Sequence, residues 1–243
     1  MRFADPLRQG SLVRRYKRFL ADVELPGEGT VTAHCANPGS MTGLTAPGAE
    51  VWLSPARNPA RKLRWTLELV RVGDALVGVN TSLANPVAAE GIAAGVVPAL
   101  TGYASMRREV RYGQGSRIDL LLEDGDRPPC HVEVKSVTLK RDSAIPGLAE
   151  FPDSVTARGA KHLDELARVV AGGGRAAMLY VAQRGDCDRV AVAADIDPAY
   201  ALASTEARRA GVEILCHTCN ISTEAIVLST AVTLQGGKPG IAA

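Results

Sequence analysis

The feature that most constrains this sequence is a pair of alternating segments in the middle of the chain. The first runs from Arg117 to Leu122, the second runs from Cys130 to Ser136, and turn-forming residues separate them. Residues two apart share a face of a β-strand, so the two segments predict a hairpin with one uniformly apolar face. That face must be buried and consists of Ile118, Leu120, Leu122, Val132 and Val134.

The opposite face of this hairpin carries ionisable side chains. A turn centred on Asp126 would place Asp119 across from Glu133, with Lys135 two residues further along. Facing carboxylates repel unless a cation lies between them, and Mg²⁺ needs only one or two protein carboxylates. Asp119 and Glu133 are therefore candidate ligands of Mg²⁺ or Mn²⁺, and Lys135 could orient an attacking water or stabilise charge on a phosphate. This spacing matches the PD-(D/E)XK nuclease fold, although a solvated strand face can show it by chance.

Two predicted helices add further candidates. The first should begin at Pro86 behind an Asn85 cap, and it carries Glu90 as a third acid or, alternatively, as a surface carboxylate. The second should cover Thr156–Ala171, and its first turns hold cations where acidic residues usually stand. Because a helix N-terminus favours anions, we expect phosphate contacts there. The candidates are Arg158, Lys161 and His162.

The first eighty residues are basic and rich in strands. They contain 11 Lys and Arg against 7 Asp and Glu, whereas the rest of the chain contains 17 against 19. Five or so short strands in such a segment predict a small barrel, and the OB fold is one nucleic-acid-binding example. The strands are expected at Leu12–Leu25, Thr30–Cys35, Val51–Leu53, Leu63–Val72 and Ala75–Asn80. The candidate backbone contacts are Arg14, Arg15, Lys17 and Arg18, which alternatively form a solvated face.

Beyond a boundary at residue 82, strands mix with helices, which predicts an α/β domain over residues 83–243. The expected strands are Ser105–Tyr112, Arg117–Glu123, His131–Thr138, Ala176–Ala182, Arg189–Ala193 and Val212–Cys216, with another helix at Pro198–Ala210. Five scattered cysteines are not expected to form a disulfide framework, and the sequence pattern predicts neither a secretory signal nor a membrane-spanning segment. We therefore expect a cytoplasmic protein without a membrane partner.

Several runs of residues together resemble the sugar fermentation stimulation protein A family. The resemblance rests on Arg15–Val23, His34–Met41, Ser116–Asp119, Val132–Leu139, Phe151–Asp153 and Arg158–Leu163. It implies an N-terminal OB-like barrel, a C-terminal α/β domain resembling the PD-(D/E)XK nucleases, DNA binding, and a proposed role in regulating sugar catabolism. It also implies Asp119, Glu133 and Lys135 as the nuclease-type triplet and Glu90 as the helix acid. Ala157 and Ala160 depart from the family pattern, which has Glu and Gln there.

These observations predict a protein that binds DNA, expected to be double-stranded, through its barrel. They also predict a Mg²⁺- or Mn²⁺-dependent nuclease-type site in the second domain. Two alternatives stay open. One is a catalytically inactive DNA-binding transcriptional regulator, and the other is an RNA- or nucleotide-binding protein. The sequence leaves the oligomeric state open, a homodimer included.

Overall fold

The computed structural model describes residues 1–113, 115–141 and 145–235, which form two units. The first unit contains only strands, and the second mixes strands and helices. The first six strands are β1 Arg8–Tyr16, β2 Leu20–Leu25, β3 Gly29–His34, β4 Glu50–Pro55, β5 Trp65–Val72 and β6 Ala75–Gly78. The later strands are β7 Ser105–Tyr112, β8 Ser116–Asp124, β9 Arg127–Val137, β10 Leu148–Phe151, β11 Arg175–Ala182, β12 Arg189–Val192, β13 Glu213–Ile221, β14 Ile226–Ala231 and β15 Leu234–Gln235. The helices are α1 Ala84–Ala93, α2 Ala157–Ala171 and α3 Pro198–Arg209.

The first unit is a closed five-stranded barrel, which confirms the OB-like prediction. Its strands follow the order β3-β2-β1-β4-β5, and a parallel pairing of Ala33 with Trp65 joins β3 to β5 and closes the barrel. The segment predicted as one strand from Leu12 to Leu25 is two, since the chain reverses between β1 and β2. Lys17 and Arg18 make this turn with φ angles of 48° and 63°. The barrel core includes Leu12, Ala21, Val23, Val51, Leu53, Leu67 and Val77.

The second unit is a mixed sheet between two layers, which confirms the α/β prediction. Its strand order is β14-β13-β11-β9-β8-β7, with β9, β11 and β13 parallel to one another. Leu163 and Leu166 of α2 pack on one face together with residues of α3. Residues of α1 pack on the other face with Trp52 and Leu69 of the barrel, so the barrel shares a core with the second unit. A small parallel sheet, β10-β12-β15, lies beside it.

The hairpin of β8 and β9 has the predicted register. Leu120 pairs with Val132 and Leu122 pairs with Cys130, which sets Asp119 level with Glu133. The turn is tighter than predicted, because β8 extends to Asp124 and β9 begins at Arg127. A register shift between Leu122 and Asp124 accommodates the shorter turn, so Asp119 stays level with Glu133.

One residue of the predicted apolar face departs from it. Leu120, Leu122, Val132 and Val134 belong to the cluster under α1, whereas Ile118 packs in the cluster under α2 and α3. The strand alternation is therefore broken around Asp119. The neighbouring strand is irregular at the same level, where Glu109 has a positive φ of 54°.

Helix α1 begins earlier than predicted. Ala84 is its first residue, Leu83 is its N-cap without a side-chain hydrogen bond, and Asn85 lies inside the helix. The capping side chain is instead Asn80, which accepts from the Ser82 amide at the start of a short 3-10 helix. Consequently the Asn85 amide is available for another partner.

The beginning of the chain lies against the second unit, although the division at residue 82 assigns it to the barrel. The Phe3 amide donates to the Glu224 carbonyl, and the Ile226 amide donates to the Met1 carbonyl. Strands β10, β14 and β15 were not predicted from the sequence. Among the described residues, no helix is both long and apolar enough to span a bilayer.

Candidate active site

A cleft of about 390 Å³ lies between the barrel and the second unit. We call it the interdomain cleft. Barrel residues form one wall, and the start of β8, the end of β9 and the start of α2 contribute to the other. Its lining includes Arg18, Asn85, Asp119, Glu133, Lys135, Asp153, Arg158 and His162. The three residues of the predicted nuclease-type triplet are therefore on one cavity rather than on opposite sides of the sheet.

Asp119 is held by two donors. The Asn85 side-chain amide donates to Oδ1 at 2.8 Å, and the Val134 backbone amide donates to Oδ2 at 2.8 Å. Burial and the nearby charge of Glu133 nevertheless raise the pKa of Asp119 to about 6, against the lowering effect of these hydrogen bonds and of Lys135. Burial and the Glu133 charge thus disfavour the charged form of Asp119.

Glu133 is almost completely buried, with 2% of the residue exposed. Its Oε1 accepts from Lys135 Nζ at 2.7 Å and from the Nδ1 of His162. Burial alone would raise the pKa of Glu133, but the His162 hydrogen bond and the Lys135 ammonium offset it, so its pKa lies below the ordinary value. The second oxygen, Oε2, is buried without a hydrogen-bond partner among the described residues.

His162 corrects one sequence prediction. Expected as a phosphate contact, it is 5% exposed and its imidazole lies against Glu133. Arg158 Nε donates to His162 Nε2 at 3.2 Å, so Nδ1 carries the proton that Glu133 accepts. His162 therefore orients the carboxylate, while Arg158 is exposed at the rim. Lys161 points elsewhere, towards Glu165 at 3.8 Å, and does not line the cleft.

Glu90 does not reach this site. Its carboxylate is 2.7 Å from the Met1 amine and its side chain is 60% exposed. Five residues separate it from Asn85, which is a rotation of roughly 140° around the helix. The residue of α1 that contacts Asp119 is Asn85, which the sequence pattern predicts as a helix cap but which lies inside the helix.

The basic residues of the barrel differ in their roles. Arg15 donates from its guanidinium to the carbonyls of Arg18, Asn37, Gly39 and Ser40, so it organises the loop at the cleft rather than facing solvent. Arg14 pairs with Asp22 at 2.9 Å and does not line the cleft.

Two other cations of the barrel remain available to an anion. Arg18 lines the cleft and donates to the Pro38 carbonyl, and Lys17 is exposed in the neighbouring turn.

Asp153 joins the barrel to the second unit at the cleft. Its Oδ2 accepts from the Met41 amide at 3.0 Å, and its backbone carbonyl accepts from Ser40 Oγ at 2.7 Å. Gly39 leaves just enough space, since a Cβ there would overlap the Asp153 carboxylate. The sequence offered Asp153 only as part of a motif and suggested no role for it.

The side chains present fit a hard divalent cation. Within the described ranges, His, Cys, Asp and Glu never gather in groups of three that could hold a metal ion. A cation at this site would therefore rest on Asp119 and Glu133, and water would complete its coordination, as is usual for Mg²⁺. The buried, unpartnered Oε2 of Glu133 is the observation that supports this fit.

Comparison with known proteins gives one consistent answer. Residues 13–79 match the SfsA N-terminal OB domain, and residues 82–225 match the sugar fermentation stimulation protein RE domain. The sugar fermentation stimulation protein homolog of Rhodospirillum centenum is 56% identical over 235 residues, covering 97% of this chain and 100% of that protein. The homolog of Maricaulis maris is 55% identical over 228 residues, covering 94% of this chain and 96% of that one.

A solved structure, that of Pyrococcus furiosus SfsA in complex with Ca²⁺, superposes with a TM-score of 0.86 at 26% identity. It covers 97% of this chain and 98% of that chain. The chain therefore belongs to the sugar fermentation stimulation protein family.

Proposed function

We propose that this protein binds double-stranded DNA in the interdomain cleft and hydrolyses a phosphodiester bond with the help of Mg²⁺ or Mn²⁺. The observation that carries the proposal is the convergence of Asp119, Glu133 and Lys135 on one cleft, with Lys135 Nζ 2.7 Å from the Glu133 carboxylate. An acid pair beside a lysine is the chemistry that phosphodiester hydrolysis requires.

Asp119 and Glu133 would hold the cation, which when bound activates water and neutralises phosphate charge. That a family member was solved with Ca²⁺ supports a divalent ion of this hard, oxygen-preferring type. The neighbouring protein groups orient the two carboxylates. Asn85 and the Val134 amide fix the rotamer of Asp119, and His162 fixes that of Glu133.

Lys135 supplies the positive charge on the protein side. Its ammonium is mostly buried, with 14% of the side chain exposed, so its electrostatic effect is little screened by water. It is bound to Glu133 and faces the same cleft, and it would stabilise the additional negative charge of a phosphate under attack.

DNA would reach the site along a rim of cations contributed by both units. Arg18 on the barrel and Arg158 on α2 line the same cleft, and Lys17 extends the rim outward. The first turn of α2 adds partial positive charge from its free amides. Such contacts bind the phosphate backbone without reading the base sequence.

The experiment is a cleavage assay with linear duplex DNA, single-stranded DNA and RNA, in Mg²⁺, in Mn²⁺ and in chelator. We expect metal-dependent cleavage of duplex DNA that Glu133→Gln or Lys135→Met lowers by about 100-fold or more. Binding of the same duplex in chelator should stay within about twofold, because the rim cations are unchanged. Glu206→Gln, an exposed change on α3, is the matched control and should cleave like the wild type.

The other outcomes favour the alternatives. Duplex binding without cleavage in either metal would contradict the enzymatic part and favour a DNA-binding regulator. Preferential binding of RNA in direct competition would contradict the choice of DNA.

A further inference from the structure

Three arginines lie together on the strands β7 and β8, beside the interdomain cleft. Arg108 and Arg111 belong to β7, Arg117 belongs to β8, and all three are exposed. In the part of the chain that the structure describes, none of the three makes a side-chain hydrogen bond or an ion pair. We call them the β7–β8 arginines.

The strand pairing places all three on one side of the sheet. Arg111 pairs with Arg117, and residues paired across two strands share a face. Ile118, the neighbour of Arg117, packs in the cluster under α2 and α3, so alternation along the strand puts the arginine pair on the opposite side, that of α1. Arg108 pairs with Leu120, which packs in the cluster under α1. Arg108 therefore lies on the α1 side as well.

An irregular backbone at Glu109 makes this arrangement possible. Residues three apart on a regular strand lie on opposite faces, so Arg108 and Arg111 would otherwise be separated by the sheet. Glu109 lies between them with a φ of 54°, a conformation that residues other than glycine, asparagine and aspartate rarely adopt. Backbone strain of this kind is concentrated at ligand-binding and catalytic sites.

The β7–β8 arginines adjoin the cleft at Asp119. The Asn85 amide nitrogen that donates to Asp119 is 3.4 Å from Oε1 of Glu109, so the irregular part of β7 lies next to the cleft lining. Arg117 precedes Asp119 by two residues, which is about 7 Å along a strand. A DNA strand advances about 3.4 Å along the helix axis for each phosphate, so this spacing corresponds to about two phosphates.

Protection of a sheet edge does not explain these arginines. Charged side chains on an edge strand often prevent pairing with another chain, and β7 is an edge strand. Arg117, however, is on the interior strand β8, and its direct opposition to Arg111 is destabilising because the charges are alike. Glu109 offsets one of the three positive charges, but its recorded contact is with Asn85. The remaining positive charge favours a polyanionic partner.

We propose that the β7–β8 arginines bind the phosphate backbone of DNA that extends out of the interdomain cleft, about two phosphates from the one at Asp119. The proposed function supplies the choice of DNA. Phosphates bound between Arg111 and Arg117 would relieve the repulsion of the pair. These contacts position the DNA for the cleft and do not read its bases.

The first test measures the salt dependence of binding. Fluorescence anisotropy follows a labelled linear duplex in chelator, over a range of salt concentrations. In Arg111→Gln/Arg117→Gln, the plot of log affinity against log salt concentration should have a slope smaller by about two, because each lost phosphate contact changes it by about 0.9. Arg208→Gln/Arg209→Gln removes the same charge from exposed positions at the end of α3 and should keep the wild-type slope. Equal slopes in the two double variants would overturn the proposal.

The second test locates the contact by crosslinking. The five native cysteines are buried, so a photoreactive maleimide would label an introduced, exposed cysteine. Labelled Arg117→Cys should crosslink the duplex, whereas labelled Arg209→Cys on α3 should not. Absence of a crosslink from position 117 would overturn the proposal.

Urea unfolding distinguishes a binding role from a structural one. Removal of two opposed positive charges relieves repulsion, so Arg111→Gln/Arg117→Gln should unfold at the wild-type urea concentration or at a higher one. A lower unfolding midpoint would indicate a structural role for the pair and would contradict the proposal.

The outcomes separate this proposal from the proposed function. A wild type that cleaves duplex DNA, with an unchanged salt slope in Arg111→Gln/Arg117→Gln, would overturn the proposal alone. A reduced slope and a crosslink in a protein that cleaves no DNA would support the proposal and contradict the enzymatic part of the proposed function. A wild type that binds no duplex would overturn both.

Discussion

The side-chain amide of Asn85 donates a hydrogen bond to Asp119 Oδ1 at 2.8 Å. This contact links α1, the first helix after the barrel, to the strand that carries the first acidic residue of the site. Because the amide donates to the charged form, it stabilises the carboxylate that a cation would bind. Groups that orient metal ligands in this way typically affect metal affinity by about 10-fold to 100-fold.

Asn85→Ala should therefore weaken Mn²⁺ binding by about 10-fold, measured by calorimetry at neutral pH. The fold should be retained, because Asn85 is partly exposed and no capping bond depends on it. Asn58→Ala in the barrel is the matched control. Unchanged affinity in Asn85→Ala would show that the hydrogen bond has no role in cation binding.

The pH dependence of stability follows from Asp119. Its pKa rises from 3.8 in the unfolded chain to about 6 in the folded protein, so the folded state binds this proton more tightly. The stabilisation from Asp119 is complete below about pH 4 and is lost as the pH rises through about 6. The difference amounts to about 3 kcal/mol without a cation.

We expect Asp119→Asn to be more stable than the wild type at pH 7.5 without divalent cations and closer to it at pH 4. Urea unfolding of both proteins at the two pH values measures this difference. Saturating Mn²⁺ should reverse the order at pH 7.5, because only the wild type retains the full ligand set. An equal stability difference at both pH values would contradict the raised pKa.

Arg15 and Lys17 should respond differently to substitution. Arg15→Ala leaves four backbone carbonyls of the cleft loop without their donor, so we expect a loss of about 2–3 kcal/mol in the free energy of unfolding. Lys17→Ala should leave the stability almost unchanged. It should instead make the plot of log DNA affinity against log salt concentration shallower, with a slope smaller by about one, which corresponds to the loss of one phosphate contact. The reverse pattern would contradict the roles assigned here.

Gly39→Ala tests the contact between the two units. A Cβ at this position would overlap the Asp153 carboxylate, so the loop must move away from the second unit. We expect a loss of about 1–3 kcal/mol in stability, measured by urea unfolding, and weaker DNA binding as the cleft widens. The control is Gly125→Ala in the β8–β9 turn, where a Cβ would meet no atom within 4 Å. Equal stability of the two variants would contradict the close docking.

Patterns with a fixed period allowed much of this fold to be predicted. Alternation gave the register that sets Asp119 level with Glu133, because register is fixed wherever one face must be buried. The same reasoning failed for Ile118, since an irregularity at the level of Glu109 changes the face of the strand. A local break of this kind leaves no periodic signal in the sequence.

The supporting residues of the site were harder to predict than the acidic residues themselves. His162 and Glu133 are 29 positions apart, and only the packing of α2 on the sheet brings them together. The contact of Asn85 with Asp119 could not be predicted from the local sequence, because Asn followed by Pro is also typical of a helix start. Glu90 was mistaken for a site residue because the sequence alone does not show how α1 is rotated about its axis.

The walls of the cleft come from both halves of the chain, which has an evolutionary consequence. Neither half encloses the cavity by itself. A recombinant protein with one half exchanged would therefore have a cavity whose two walls do not match. Substitutions around Gly39 and Asp153 should consequently be inherited as compatible pairs. Selection would act on the two halves as a single unit, despite their separate architectures.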